Sequence, residues 1–359
     1  MPQQKVHFLQ AKQGAFEVAS STIPQPGSDD VLVKILATAL NPVDWKIQKY
    51  GIFVDKYPAI LGTDSAGTVE QVGENVKTFK KGDRVVHQGY FTNDKATFQE
   101  YTTVPAEILA KIPENISFDQ AASVPLGLAT AAVGFYNPPS GNGAGLTPPW
   151  VPAGEGKYQG GIVIFGGSTS VGQYGECHHF SRDRLNLSSL ALVAIQLARL
   201  SGFSPIVTTA SLHNADLVKS LGATHVIDRK ADVVAEAKKI LTPLPDIVYD
   251  AVSEDTQEQA WNILASNGTL ILVLPGKEVL KNGEDGKKHI SIFGNVHIQR
   301  ELGKSLYANL TGLLQSGKIK PNRVEVIPGG LGGIVSGLKR MEENKVSGVK
   351  LVVRPQETA

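Results

Sequence analysis

The chain has 359 residues, 42% hydrophobic and 19% charged, a globular composition long enough for two domains. Its 35 basic and 34 acidic side chains nearly cancel, which removes the electrostatic footprint of a nucleic-acid or membrane binder and leaves a small molecule or a protein as the expected partner. The single cysteine, Cys177, excludes internal disulfides and a cysteine-built structural zinc lobe.

At the amino terminus, Met-Pro-Gln-Gln-Lys-Val-His-Phe lacks the apolar stretch of a signal peptide. No apolar run anywhere reaches the roughly 18 residues of a membrane helix, so a cytoplasmic location is expected. Residues 29–40 (DDVLVKILATAL) alternate as a half-buried strand does, and Ser65–Val72 followed by Val85-Val86 repeats the pattern. Short strands broken by Gly and Pro point to a small barrel-like β domain. Between Pro105 and Pro125 the character changes, and "DQAASVPLGLATAAVGF" reads as helix before the loop "NPPSGNGAGLTPPWVPAGEGKYQGG", the expected hinge between domains. Beyond it, Gly161–Phe165, Pro205–Thr209, His225–Asp228, Asp246–Asp250 and Thr269–Leu274 are short apolar runs separated by helix-compatible sequence. That alternation predicts a parallel, doubly wound sheet. From about Leu302 the helical pattern and the last strand, "GVKLVVR", are expected to return to the first domain.

The turn after the first of these runs carries the chemistry. Gly166, Gly167, Ser168, Thr169, Ser170 and Val171 follow the buried run Ile162–Phe165, and small residues there let backbone N–H groups approach a pyrophosphate at a helix start. The bland alternative is a tight strand-to-helix turn without a ligand. The second run ends at Ser211, where a site preferring NAD places an acid on the ribose 2′-hydroxyl. None stands there. Ser211, His213 and Asn214, with Lys219 about one helical turn further, suit a 2′-phosphate, so NADP(H) is the expected cofactor. His213 reads equally as an ordinary surface histidine.

The helix expected after this turn is interrupted. "AIQLARLSG" continues it convincingly only from Ala194, and joining Tyr174 to Ala194 restores an amphipathic helix with a Ser-Gly stop. The 19 intervening residues, Gly175–Val193, correspond to whole codons. Gly-Glu-Cys at their start and Val-Ala at their end can be encoded with intron-like borders. The block is therefore read as a retained short intron or a gene-model error, with a genuine surface loop as the alternative. Cys177, His178 and His179 fall inside it and lack a sensibly spaced fourth ligand, so no metal role is expected of them.

Taken in order, "ALNPVDWK" (39–46), "LGTDSAGTVEQVG" (61–73), "GDRV" (82–85), "ATFQEY" (96–101), "PLGLATAA" (125–132), "FGGSTSVGQ" (165–173), "LVKSLGATHVID" (217–228) and "SGVKLVV" (347–353) resemble the zinc-independent medium-chain dehydrogenases/reductases. That branch includes quinone, alkenal and enoyl reductases. The chain is most similar to the fungal group with trans-acting enoyl reductases of polyketide synthases, enzymes of secondary metabolism. The resemblance implies an α/β fold in which a GroES-like β-rich catalytic domain, 1–128 and 300–359, surrounds a Rossmann doubly wound parallel sheet, 129–299. Zinc-dependent relatives carry a cysteine before the "DWK" segment and Gly-His-Glu where this chain has Gly62-Thr63-Asp64, so no metal is expected.

The activity so implied is NADPH-dependent reduction of an activated carbon–carbon double bond. Its substrate would be a small or acyl-carrier-tethered enoyl compound, and a polyketide synthase a partner. A quinone or alkenal reductase of detoxification and an inert NADPH-binding protein are the alternatives, in a monomer or homodimer. By the same resemblance Val43, Asp44, Trp45 and Lys46 line the nicotinamide pocket, Lys46 donating a proton or merely positioning cofactor. Asp44 is expected to be an ordinary ionised carboxylate that orients its loop. Thr130, Arg229, Leu274, Gly348, Val349 and Lys350 are further expected cofactor contacts. Leu126, Gly127, Ser291, Ile292, Phe293, Gly294 and Asn295 are expected on the substrate side. For the last stretches, a plain strand edge and a turn are the competing readings.

Overall fold

A computed structural model of the chain describes residues 2–166, 189–253 and 255–359. The chain divides into two compact units, Met1–Leu126 with Asn295–Glu343 and Val349–Ala359, and Gly127–Gly294 with Asn344–Gly348. In chain order come β1 (Gln3–Leu9), β2 (Phe16–Thr22), β3 (Asp30–Ala39), α1 (Pro42–Tyr50), β4 (Ala59–Ile60), β5 (Asp64–Val72), β6 (Arg84–Gln88), β7 (Tyr101–Pro105), β8 (Ala110–Lys111), α2 (Phe118–Ala122) and α3 (Pro125–Tyr136). Next are β9 (Ile162–Phe165), α4 (Ser189–Ser201), β10 (Ile206–Ala210), α5 (Ala215–Leu221), β11 (His225–Asp228), α6 (Val233–Ile240), β12 (Ile247–Asp250), α7 (Gln257–Ile263), β13 (Thr269–Leu272) and β14 (Lys288–Ser291). The last elements are α8 (Arg300–Gln315), β15 (Val324–Val326), α9 (Ile334–Glu342) and β16 (Lys350–Val353). None of the described helices is long and apolar enough to cross a membrane.

The first unit is built around β3, whose residues Val31, Val33, Ile35, Ala37 and Ala39 are fully buried. It pairs antiparallel with β5, β7 and β16, while β1, β2 and β4 form a separate antiparallel sheet. Two register shifts bend the β3–β5 pair, as bulges do. Gly67 sits at the closer of these approaches, where a Cβ would lie 2.0 Å from the Lys34 carbonyl oxygen. The pairing of Val352 with Ala39 brings the carboxy-terminal strand back to the first unit, as the sequence suggests.

The second unit contains, among the described residues, a parallel sheet of order β11-β10-β9-β12-β13-β14. With β9 counted as the first strand this is the order 3-2-1-4-5-6, the Rossmann arrangement. Every residue of β9, β10, β12 and β13 is buried, which is why these strands read as unbroken apolar runs rather than alternating ones. The edge strand β14 (KHIS) has no such run and went unread.

Two expectations require correction. The loop 137–161 is not a hinge, because it belongs wholly to the second unit. Gly156 and Tyr158 donate their amides to the Leu200 and Ser201 carbonyls at 2.9 and 2.8 Å, satisfying acceptors that the end of α4 leaves open. Tyr136 bonds Ser201 Oγ at 2.8 Å, and Tyr158 stacks on Phe203. The helix expected from Ala194 begins instead at Ser189, and Ala191, Leu192 and Val193 are core residues at 0%, 3% and 1% exposure. The end of the suspected block is thus packed helix, not surface loop. The rest of that block, with Cys177, His178 and His179, lies outside the described residues.

Candidate active site

In the first unit, "NPVDWK" folds as the start of α1 because each residue suits its place. Asn41 takes extended backbone angles ahead of the helix, Pro42 fills a first-turn position whose missing N–H costs nothing, and Gly51 ends the helix at φ +63°. Asp44 Oδ2 accepts the Asn41 N–H at 2.7 Å, one half of a capping box. The helix turns Asp44, Trp45, Lys46 and Ile47 inward. Lys46 is 7% exposed with its Nζ 5.6 Å from the centre of the Trp45 ring, so it is held in the protein rather than free in solvent. Val43 is half-buried.

Around Asp44 lies a buried polar cluster assembled from distant parts of the chain. Lys350 Nζ on β16 is 3.0 Å from Asp64 Oδ2 on β5 and donates to Asn41 Oδ1 at 2.5 Å. Asn41 Nδ2 donates to Asp64 Oδ2 at 2.9 Å and lies 3.3 Å from Thr63 Oγ1. Asp64 Oδ1 accepts the Leu126 N–H at 2.6 Å, at the start of α3. The two carboxylates thus have one ammonium, Lys350, within this network.

Burial pushes the Asp44 carboxyl up to about 7 from its ordinary 3.8. The Asn41 amide opposes that shift, the Asp64 charge adds to it, and Lys350 and the Gly62 amide pull the other way. The expectation of an ordinary ionised Asp44 is therefore wrong. It took a carboxylate in water as its reference, and Asp44 has no exposure. Asp64 has no role legible in the sequence beyond its place in the Gly62-Thr63-Asp64 motif, because its partners Lys350 and Leu126 lie far along the chain. Lys350 was expected at the cofactor, and its ammonium is engaged by Asp64 and Asn41.

In the second unit, Gly166 ends β9 at φ +111°, an angle that favours glycine, and donates its N–H to Thr209 Oγ1 at 3.3 Å. Gly167, Ser168, Thr169, Ser170 and Val171 lie outside the described residues. Ser211 follows β10 directly and Leu212–Asn214 form a single helical turn. The Asn214 amide meets His213 Nε2 at 3.0 Å, and a Cβ on Gly348 would come 3.3 Å from Asn214 Oδ1. Two stretches separated in sequence thus meet beside the end of β10. Lys219 is exposed on α5. Arg229, one residue past β11, donates its backbone N–H to the Ala210 carbonyl at 3.3 Å. Its guanidinium Nη1 is buried with no hydrogen-bond partner among the described residues.

The remaining expected contacts separate in kind. Thr130 accepts the Tyr249 hydroxyl at its carbonyl, 3.2 Å away, and its Cα would be 2.2 Å from a Cβ on Gly294. Gly294 is therefore a close-packing glycine whatever else it contacts. Ser291 and Phe293 are exposed, Ile292 and Gly127 buried, and Leu274 half-buried. Asn295 and Val349 fall in the first unit, where buried Asn295 accepts the His297 N–H at 2.9 Å.

Among the described residues no three His, Cys, Asp or Glu side chains gather as a metal would require. Asp64 already faces the Lys350 ammonium, a cation that repels a second one.

The comparisons agree with this architecture. Residues 27–114 match the alcohol dehydrogenase GroES-like domain, and residues 189–310 match the family described as zinc-binding dehydrogenase. The trans-enoyl reductase himH of Aspergillus japonicus is 34% identical over 90% of this chain and 89% of its own length. The trans-enoyl reductase ACTTS2 of Alternaria alternata is 30% identical over 95% and 96%. Among solved structures, an alcohol dehydrogenase superfamily protein from Novosphingobium aromaticivorans shares the fold with a TM-score of 0.77 at 23% identity, covering 98% of this chain and 99% of that one. With a GroES-like β unit, a 3-2-1-4-5-6 parallel sheet and relatives matched almost end to end, the chain belongs to the medium-chain dehydrogenase/reductase superfamily, in the branch of the trans-enoyl reductases.

Proposed function

We propose that this protein is a cytoplasmic, zinc-independent NADPH-dependent reductase of activated carbon–carbon double bonds. Its substrate is a small or carrier-tethered enoyl compound of fungal secondary metabolism, supplied by a polyketide synthase, and it works as a monomer or homodimer. The observation that carries the cofactor assignment is the end of β10. No acid occupies Ser211–Asn214, and Arg229 holds beside it a buried guanidinium nitrogen without a partner among the described residues. A donor left unsatisfied in that position is costly unless a ligand accepts from it, and a 2′-phosphate does.

Ser211, His213, Asn214, Lys219 and Arg229 would hold the phosphate, and the turn from Gly166 to Val171 the pyrophosphate. When bound, NADPH supplies the hydride for the β-carbon of the alkene. What remains for the protein is to orient the substrate, stabilise the enolate oxygen and deliver a proton. Lys46 is assigned that last task, from a helix whose first turn is fixed by Asn41 and Asp44.

Incubation with NADPH and crotonyl thioesters, alkenals or quinones tests the reading. Preferential oxidation with the thioesters is expected. Turnover of quinones or alkenals alone would place the enzyme in detoxification, and binding without any oxidation would make it an inert NADPH-binding protein. Arg229→Met is expected to weaken NADPH about 10- to 100-fold, the loss of one charge-assisted contact, with NADH almost unaffected. Equal loss for both cofactors would remove Arg229 from the phosphate site.

Deleting Gly175–Val193 joins Tyr174 to Ala194, a sequence that reads as one amphipathic helix leading from the glycine-rich turn, and is expected to tighten NADPH binding about tenfold. Transcripts should correspondingly lack that block. Because Leu192 and Val193 are core residues, a deleted form that fails to fold, or that folds and binds no better, would show that the block is integral.

A further inference from the structure

Asp44 differs from the other members of the buried cluster in one respect. Its Oδ2 is taken by the Asn41 amide, while Oδ1 is buried and, among the described residues, completes no well-formed hydrogen bond, the Gly62 amide nearby opposing the rise of the carboxyl's pKa without offsetting burial. Asp64 is better served: its Oδ2 receives both Lys350 and Asn41 and its Oδ1 receives the Leu126 amide. The charged groups facing Asp44 are Asp64 from β5 and Lys350 from β16. From α8, the buried phenol of Tyr307 faces Asp64, and burial pushes its pKa up, so it adds no charge.

A buried carboxylate oxygen with no donor is unfavourable, whereas a carboxyl O–H there needs no partner charge. We infer that Asp44 carries a proton on Oδ1 in the working protein and is a positioning residue for Lys46, holding the first turn of α1 in place through its bond to the Asn41 amide. Loss of that proton leaves two buried carboxylates facing one ammonium. Asn41 stands between them, bonded to Asp44 through its backbone and to Asp64 and Lys350 through its side chain, so repulsion acts on the turn that presents Lys46. The upward displacement of this carboxyl to about 7 agrees in direction. The protonated form also favours folding. Since the folded value lies above the unfolded one, that stabilisation is complete in acid and is lost as pH rises through about 7.

The inference rests on the reductase reading for its consequence in turnover, but the proton itself is observable without turnover. Difference infrared spectra of the whole protein titrated across neutrality should show the carbonyl band of a buried protonated carboxyl disappearing as pH rises, and Asp44→Asn should abolish that band. In the reductase assay, kcat/KM should fall about tenfold per pH unit above the same inflection. That inflection should be missing in D44N, with the KM for NADPH changed little. Asp64→Asn, which removes the repelling charge, should keep the band and move its loss to lower pH.

A spectrum without the band, a D44N protein that keeps it or keeps the wild-type inflection, or a D64N inflection that stays or rises would overturn the assignment. If D44N does not fold, the D64N shift decides alone. Failure of every substrate with a positive infrared titration would refute the reductase reading and leave the buried proton standing.

Discussion

Replacing Lys350 with methionine is expected to destabilise the fold by about 3–5 kcal/mol, the cost of leaving a buried carboxylate without its cation. The side chains of Lys350 and Asp64 are 4% and 0% exposed, so neither water nor salt can substitute for the lost ammonium. Asn41 would also lose the donor to its Oδ1, and Asp64 would keep only the Asn41 and Leu126 hydrogen bonds. Combining Lys350→Met with Asp64→Asn should recover more than half of the loss, because a neutral amide at 64 still accepts from Leu126 while needing no counter-ion. Denaturant unfolding of the two single variants and the double variant measures this. A loss below about 1 kcal/mol for Lys350→Met would show that the pair is worth no more than a surface bridge.

Lys46→Ala is expected to lower kcat by about a hundredfold to ten-thousandfold while changing NADPH affinity less than about threefold, the signature of a proton donor acting in the transition state. Its burial at 7% exposure means that the change also removes packing against Trp45, so a melting curve must accompany the kinetics. Parallel losses in kcat and in NADPH affinity would reduce Lys46 to a residue that positions cofactor. Stopped-flow measurement of NADPH binding beside steady-state turnover separates the two.

The parts of the fold that the sequence revealed were those encoded by local pattern. The runs IVIF, IVTTA, IVYD and TLIL are apolar throughout because strands inside a parallel sheet are covered on both faces. The acid-free end of β10 was visible for the same reason, since it is a matter of which residues follow a strand. The strand β14 escaped because an edge position tolerates Lys, His and Ser. The loop 137–161 misled because Pro and Gly mark a change of direction, not a domain boundary. Its amides serve the end of α4, which no local pattern records.

The sequence by itself determined the two-part architecture and the buried strand β9 with the glycine that follows it, since periodicity, glycine placement and chain order are properties of neighbours in the chain. Only the tertiary structure decided the electrostatics of the candidate site. Asn41 and Lys350 meet across 309 positions of sequence, and the charge state of Asp44 depends on burial and on Asp64 and Lys350, arriving from other strands. A side chain's solvation and charged neighbours are set by the packed fold, so the fold alone changed the chemistry of the residue that the sequence presents as an ordinary carboxylate.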